Sequence, residues 1–580
     1  MLRRGWELSS CPFCGRKKPK DKKYCEYCEY TLCEICGNSL ARGYCAVCGR
    51  LVCDNDSKMV GFARVCRECL AKNPNYGDYE YLKNFFRKLA LLSPIGKRKI
   101  TKISSHGSLQ GFGKEVYLHI GLDDADSPYG MCTTYLGALL FKELSRFSTP
   151  MDYPLLIRLN PNIPMKTRGN AAVALRFRIP KNKLGEAVET VLRIVHEYVH
   201  TFFKKTKPGI IIYVTREYKI DKPLYEIYLN ALRDIVPVSL VREIINELKY
   251  GYLEIYSETE EERGIIGGLA AVGAVLDDYT FELLVYRSPE NISKEREIDA
   301  DSVIQMNEKY SASTFDNIDR SRILIAPKGP DPVLLGIRGD FPDKLVEAFK
   351  MLKHEKFELW AIFRSNQGTQ SHVINIEKPE DAKPYQTISI TARVHKVYSS
   401  ETKVFILAKS GDWEIESTIY KIQKELQRNA LKLSPRDTIR LIGTVIERRP
   451  NYLKLNLEEF ITLKLVPTFK EKNPICPNCG TRLKKKGREL YICEKCRTKY
   501  RFSHKLIILY EREEIKERKR YESPPRAHRH LTLPTKRLFY RAWKLHNLLN
   551  PYLIHPIVGE SKNISLKIVK SIKKLEIFQS

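Results

Sequence analysis

The sequence has no long apolar run. Nowhere do eighteen apolar residues follow one another, so no segment reads as a membrane-spanning helix. The opening residues, Met1-Leu-Arg-Arg-Gly-Trp6, pass straight into polar, Cys-rich sequence and lack the apolar core of a signal peptide. The expectation is a cytoplasmic protein with no membrane partner. Acidic residues are also in short supply. Lys and Arg number 99 against 69 Asp and Glu, giving a net charge of +30 and a pI near 9.4. That deficit of negative charge points to a polyanionic partner. Nucleic acid comes first, because each phosphate neutralised by Lys or Arg releases counterions. A generally basic, solvated surface is the alternative. Apolar content is not lacking. At 43% it excludes a disordered chain, and 580 residues suggest three to five domains.

Cysteine is plentiful and patterned. Of the 16 cysteines, 14 stand in seven Cys-x-x-Cys pairs, the spacing with which two thiolates grip one tetrahedral zinc. In an intracellular chain of this size a disulfide framework is the weaker reading. Cys11, Cys14, Cys25 and Cys28 make a closed set of four. Cys33, Cys36, Cys45, Cys48, Cys53, Cys66 and Cys69 are one ligand short of two sites. Asp56, three residues after Cys53, would supply the eighth in a cross-brace: Cys33, Cys36, Cys53 and Asp56 on one zinc, and Cys45, Cys48, Cys66 and Cys69 on the other. Sequential pairing would instead leave Cys53 a free thiol and Asp56 a surface carboxylate. Near the other end, Cys476, Cys479, Cys493 and Cys496 read as a zinc ribbon with a cationic tip. Cys132 reads as a packing residue.

The chain divides by composition. Residues 1–75 are a Cys-rich zinc-binding domain, and 76–115 a linker with a helix over Tyr81–Leu92 and a basic tether at Lys97, Arg98, Lys99 and Lys102. From Val116 to about 380, strand and helix patterns alternate, as in an α/β fold. Ser239 is a candidate N-cap for a helix over Leu240–Leu248. Over 383–468, five strand patterns with one helix between the third and fourth suit an oligonucleotide-binding (OB) barrel. Its Tyr398, Trp413, Tyr420 and Tyr452 are placed to stack on bases, with Arg440, Arg448 and Arg449 near phosphates. The ribbon occupies 474–502, and a basic C-terminal region 503–580.

Chemistry concentrates after the strand Val116–Ile120. Asp123, Asp124 and Asp126 crowd three carboxylates into four residues, an arrangement that a hard divalent ion such as Mg²⁺ would relieve, with nucleotide phosphates on its far side. The helix beginning near Thr133 aims its N-terminal N–H groups at the same turn. An acidic loop capping a helix is the plainer reading. A second loop, Arg158-Leu-Asn-Pro-Asn-Ile-Pro-Met-Lys-Thr-Arg-Gly-Asn170, offers Lys166 and Arg168 to a triphosphate, and Gly169 and Asn170 for close backbone approach. Polar loops carrying Thr314, Asp316 and Asn317, and Asn366 and Gln367, are candidate pocket linings.

Several of these motifs together resemble the archaeal tRNA(isoleucine) 2-agmatinylcytidine synthetase family. They are Gly121-Leu-Asp-Asp-Ala-Asp-Ser127 with Gly130-Met-Cys-Thr-Thr134, Arg158-Leu-Asn-Pro-Asn-Ile-Pro164 with Lys166-Thr-Arg-Gly-Asn170, Gly264-Ile-Ile-Gly267, Thr314-Phe-Asp-Asn317, Ala326-Pro-Lys-Gly-Pro-Asp-Pro332 and Phe363-Arg-Ser-Asn-Gln-Gly368. The resemblance covers roughly 116–531 and implies a kinase-like catalytic domain at 116–245 and a ferredoxin-like domain at 246–382. It implies a ligase that uses ATP to phosphorylate the C2 carbonyl of the wobble cytidine in a CAU anticodon. Agmatine then displaces the phosphate, which enables AUA decoding. Asp123, Asp124 and Asp126 would hold Mg²⁺ and ATP, and Thr133 matches the threonine that the family autophosphorylates. The family turn usually reads Gly-Ile-Asp-Asp-Thr-Asp, so Leu122 and Ala125 are departures, and Ala125 removes a hydroxyl that Ser127 would have to replace. The block at 1–75 lies outside the resemblance, as an extra tRNA grip or a docking site for a protein partner. A non-catalytic zinc and OB-fold RNA adaptor and a metal-dependent phosphohydrolase are the competing readings.

Overall fold

The computed structural model describes residues 8–578 apart from 62, 93–99, 127–130, 167–168, 200–205, 259–262, 293, 328, 330, 504–505, 511, 513, 542–551, 561–566 and 572–574. Lys97, Arg98, Lys99, Ser127 and Arg168 therefore lie outside the described residues.

A twelve-stranded mixed sheet forms the centre among the described residues. Its first half carries the strands Glu115–Asp123, Leu155–Arg158, Ala171–Pro180, Gly209–Thr215 and Tyr252–Ser257, and its second half Thr280–Arg287, Val333–Gly339 and Phe357–Ser365. The halves join through one short parallel pairing, Leu155 beside Arg364 and Leu156 beside Ser365. The strand Gly209–Thr215 shows why the runs are apolar throughout. Ile210, Ile212 and Val214 enter one core, while Ile211 and Tyr213 enter a second core on the opposite face. A strand buried on both faces has no polar side to display.

The helix Gly264–Gly273 lies against the sheet at backbone distance. A Cβ on Gly121 would stand 2.2 Å from the carbonyl oxygen of Gly268. The glycines of Gly264-Ile-Ile-Gly-Gly268 are therefore a packing requirement, and they bring the helix start to the end of the Asp123 strand.

Two expectations change here. Residues 101–106 form a strand on the edge of the large sheet, paired with Tyr252–Ser257, so the segment before 115 belongs to the fold. Lys102 Nζ donates to Glu254 at 2.7 Å, and is tied down rather than part of a solvated tether. The helix near 240 begins at Val238 with Pro237 at its cap, and the Ser239 hydroxyl donates to Glu26 of the N-terminal block. Pro237 offers no side-chain acceptor, so no side chain caps this helix start.

Strands over 387–399, 403–410, 413–420, 438–449 and 452–464 close into a five-stranded barrel, because the first pairs with both the second and the fourth. A helix, Lys424–Ala430, separates the third from the fourth. The C-terminal residues are woven back onto both sheets. Arg520–Glu522 pairs with the barrel, Val558–Gly559 with Trp360 and Ala361, and Glu576–Ile577 with Lys219–Ile220.

Candidate functional site

A cavity of about 450 Å³ opens where the two halves of the sheet meet. Asp123, Asp124, Asp126 and Thr133 line it from the first half, and Glu282 and Arg338 from the second. Lys166, Gly169 and Asn170 also line it, so the two clusters singled out in the sequence share one space.

Asp123 ends its strand, and Asp124 follows at φ +54°. This left-handed residue reverses the chain and sends its carboxylate to distant partners. Arg263 Nη2 donates to Asp124 Oδ2 at 2.8 Å, and the Lys207 amide at 3.1 Å. Burial, and then the neighbouring Asp124, push the Asp123 carboxyl well above the usual carboxylate range. A cation would offset both effects. Gly267, in the first turn of its helix, leaves room for that carboxylate: a Cβ there would sit 1.8 Å from Asp123 Oδ2. Thr133 is the first residue of the helix Thr133–Leu144. Two helix starts thus face the cavity; Gly264 N–H is taken by the Lys207 carbonyl at 2.9 Å, so the Thr133 helix is the better placed to receive an anion. The three aspartates do not bring three ligand atoms within 4.8 Å of one another. Ala125 is buried in the main core, and its side chain does not line the cavity.

Lys166 donates to the carbonyl of Pro161. Burial, and then the charge of Arg529, lower its amine to about 7. Asn170, at φ +50°, donates from Nδ2 to the Asn160 carbonyl at 2.8 Å, which holds the loop.

The five pocket candidates fall behind this surface. Asn366 brackets the backbone of Arg158, accepting from its N–H at 2.8 Å and donating to its carbonyl at 2.9 Å. Gln367 donates to Glu282 at 2.5 Å. They steady two lining residues without lining the cavity themselves. Asn317 donates to Thr314 at 2.8 Å, and Asp316 pairs with the distant His528 at 3.1 Å, which lines a smaller cavity beside Lys166 and Gly169. Sequence reasoning missed Arg263, Glu282, Arg338 and His530. Arg263 abuts the Gly264 motif, and His530 lies in Arg529-His-Leu531, which resembles the family segment after the ribbon, but only the fold shows that they reach the cavity.

Four cysteine-containing clusters are assembled, each with all ligand atoms within 4.8 Å of one another. They are the first N-terminal four, the pair of cross-braced sets with Asp56 in the predicted place, and the ribbon set. Asp56 is 3% exposed, with Oδ2 at 3.2 Å from both Cys33 and Cys53 Sγ, so it is no surface carboxylate. Sulfur–sulfur distances such as Cys48 to Cys66 at 3.8 Å and Cys45 to Cys69 at 3.9 Å are far beyond a disulfide. They match the edge, about 3.8 Å, of a tetrahedron with zinc–sulfur bonds of about 2.3 Å. On the barrel, Tyr398 and Tyr420 are exposed, and the Arg448 guanidinium lies 5.5 Å over the Trp413 ring.

Among the described residues, no helix is long and apolar enough to cross a membrane. Two family models match: the TiaS TCKD domain over residues 119–256 and the TiaS FLD domain over 262–372. The isoleucine tRNA 2-agmatinylcytidine synthetase TiaS of Pyrococcus horikoshii is 40% identical over 421 residues, covering 72% of this chain and 96% of the relative. A crystal structure of apo TiaS, an isoleucine tRNA agmatidine synthetase, is 32% identical with a TM-score of 0.65, covering 73% of this chain and 98% of that one. A crystal structure of TiaS in complex with its isoleucine tRNA, AMPCPP and agmatine is 30% identical with a TM-score of 0.60, with the same coverage. With that identity over almost the whole of a curated relative, this chain belongs to the isoleucine tRNA 2-agmatinylcytidine synthetase family.

Proposed function

We propose that this protein attaches agmatine to the wobble cytidine of an isoleucine tRNA with a CAU anticodon, using ATP, to give 2-agmatinylcytidine. Family membership supports this over the adaptor and phosphohydrolase readings. The observation that carries it to these residues is the single cavity uniting three carboxylates, the loop of Lys166, Gly169 and Asn170, and two helix starts. In the same reading, 116–245 is a kinase-like catalytic part, 246–382 is ferredoxin-like, 383–468 is an OB barrel and 474–502 a zinc ribbon. The protein works in the cytoplasm, and its four cysteine-containing clusters each hold a zinc.

The chemistry follows from the substrate. The C2 carbonyl of cytosine is urea-like and resists amines. Phosphorylation of its oxygen turns it into a leaving group. The primary amine of agmatine then bonds to C2, the C2–O bond breaks, and phosphate departs with the oxygen. An anticodon base is single-stranded, so it enters a pocket without breaking a duplex. Lys166, Gly169, Asn170 and the Thr133 helix start would hold the triphosphate. Thr133 is also the residue that would be autophosphorylated. Asp123, with Asp124 and Asp126 near it, would hold Mg²⁺, which when bound neutralises phosphate charge. Arg263 fixes Asp124, so that the turn keeps its shape as charge changes around it.

The test is incubation with a CAU isoleucine tRNA transcript, ATP, Mg²⁺ and labelled agmatine, followed by nucleoside mass analysis. ATP-dependent label at the wobble cytidine is expected. Tight tRNA binding without label would favour a non-catalytic adaptor.

A further inference from the structure

The N-terminal block packs on the rest of the molecule at the cavity. An apolar cluster joins Ala41 and Leu51 of the block to Met165, Ile235 and Tyr385 of the body, with Tyr30, Tyr44 and Ile163 packed around it. Polar contacts surround it. Arg16 pairs with Asp234, Arg42 donates to the Ile446 carbonyl at 3.0 Å, and Tyr385 donates to the Ala41 carbonyl at 2.7 Å. A tethered accessory domain would not need contacts of this kind to both sheets.

Two tyrosines carry the block into the site. Half-buried Tyr30 lines the cavity together with Ile163, Met165, Ile235 and Val236, in the same space as Asp124 and Lys166. Tyr44 meets Arg263, whose guanidinium lies 5.1 Å over its ring and donates to its hydroxyl. The same guanidinium donates to Asp124 at 2.8 Å. Both tyrosines stand next to ligand positions. Tyr30 is two residues past Cys28 of the first cluster, and Tyr44 directly precedes Cys45 of another. Tyr30 lies at the C-cap of the short helix Glu26–Glu29, and Tyr44 in the strand Gly43–Tyr44, so each is placed by a metal knuckle rather than by a large core.

An aromatic ring set among aliphatic side chains, beside carboxylates and a cation, is the lining of a slot for a flat heteroaromatic ring. We propose that the N-terminal zinc block builds one wall of the substrate cavity, and that Tyr30 is a binding residue for a nucleobase. The two matched domain models span residues 119–256 and 262–372, so this wall lies outside both. The base belongs either to the nucleoside triphosphate or to the tRNA. The inference rests on the synthetase reading for its turnover assay, but binding measurements test it independently.

The experiment compares the full chain with Tyr30→Ala and Tyr30→Phe, by KM and kcat for ATP and for tRNA and by equilibrium binding of each. Zinc content and melting temperature qualify each variant. If Tyr30→Ala loses zinc, Tyr30→Leu, which keeps apolar volume without an aromatic face, takes its place. Loss of one stacked base should raise KM and Kd for one ligand by about 5- to 100-fold, with kcat changed less than about threefold. Tyr30→Phe should stay close to the parent. A rise for ATP assigns the slot to the triphosphate's base, and a rise for tRNA assigns it to the anticodon. Both affinities within twofold of the parent, or Phe as damaging as Ala, would overturn the proposal. A parent protein without turnover would count against the synthetase reading alone, because the binding arms still decide the role of Tyr30.

Discussion

The acidic turn and the cross-braced cysteine block solve the same problem in opposite ways. Each crowds groups that repel when ionised. In the block, two-residue spacers fold Cys33/Cys36 and Cys53/Asp56 into knuckles, which then meet across 17 residues of chain. At the turn, Asp123 still belongs to a strand, and successive strand residues face opposite sides. Asp124 then adopts a positive φ, and its carboxylate goes to Arg263, 139 residues away. Knuckles near one another in sequence close the first site. The second is finished by the fold, with one carboxylate neutralised by a protein cation and another left buried beside it.

The strongest check on this contrast is Asp124→Ala. It removes the partner of Arg263 and the fold-made half of the turn, while the barrel and ribbon are untouched. Catalysis should fall below detection, with the tRNA Kd within twofold of the parent. Turnover at a parental rate would remove Asp124 from the site. Gly267→Ala probes the other carboxylate by shape alone. Its Cβ, 1.8 Å from Asp123 Oδ2, must displace either the carboxylate or the helix. A kcat loss of about 100-fold or more is expected, similar to removal of one preorganised electrostatic group. A loss under threefold would mean that the placement of Asp123 does not matter to the reaction.

The block is checked by metal count. With four ligand sets, the parent should carry four zinc ions by elemental analysis. Asp56→Ala should leave three and lower the melting temperature of the block, since structural zinc supplies its folding energy. Asp56→Cys should keep all four. Four zinc ions in Asp56→Ala would show that Asp56 is a neighbour of the cluster and not a ligand.

How far the sequence could be read follows the same division. Cys spacing located every knuckle and offered Asp56 as a ligand, because a knuckle is a local object, but it left the pairing within 33–69 open, and the fold chose the cross-brace. Periodicity located the barrel strands to within a few residues. It could not find the strand Thr101–His106, whose burial pattern is largely exposed and which exists because the edge strand Tyr252–Ser257 accepts it. Nor could it show that Asn366 and Gln367 work one layer behind the cavity. Their motif marks importance, and only the positions of Arg158 and Glu282 reveal what they hold. Arg263 and Tyr30 carried no motif at all.

The smallest expected effect concerns Lys166, which both descriptions of the cavity need as the phosphate contact. Its free amine, lowered to about 7 by burial and by Arg529, is mostly charged at pH 6 and mostly neutral at pH 8. A phosphate beside it favours the ammonium and returns its pKa toward the ordinary value of about 10.4. ATP binding should therefore take up about 0.9 proton at pH 8 and about 0.1 at pH 6, and affinity should weaken as pH rises above 7, by at most about tenfold per unit. Calorimetry in two buffers of different ionisation enthalpy reads the proton count directly. ATP's own titration cancels against Lys166→Arg, whose guanidinium stays charged throughout and should show no extra uptake at pH 8. Equal uptake by parent and variant at pH 8 would place the triphosphate away from Lys166, and would leave the helix start at Thr133 as the phosphate-holding group.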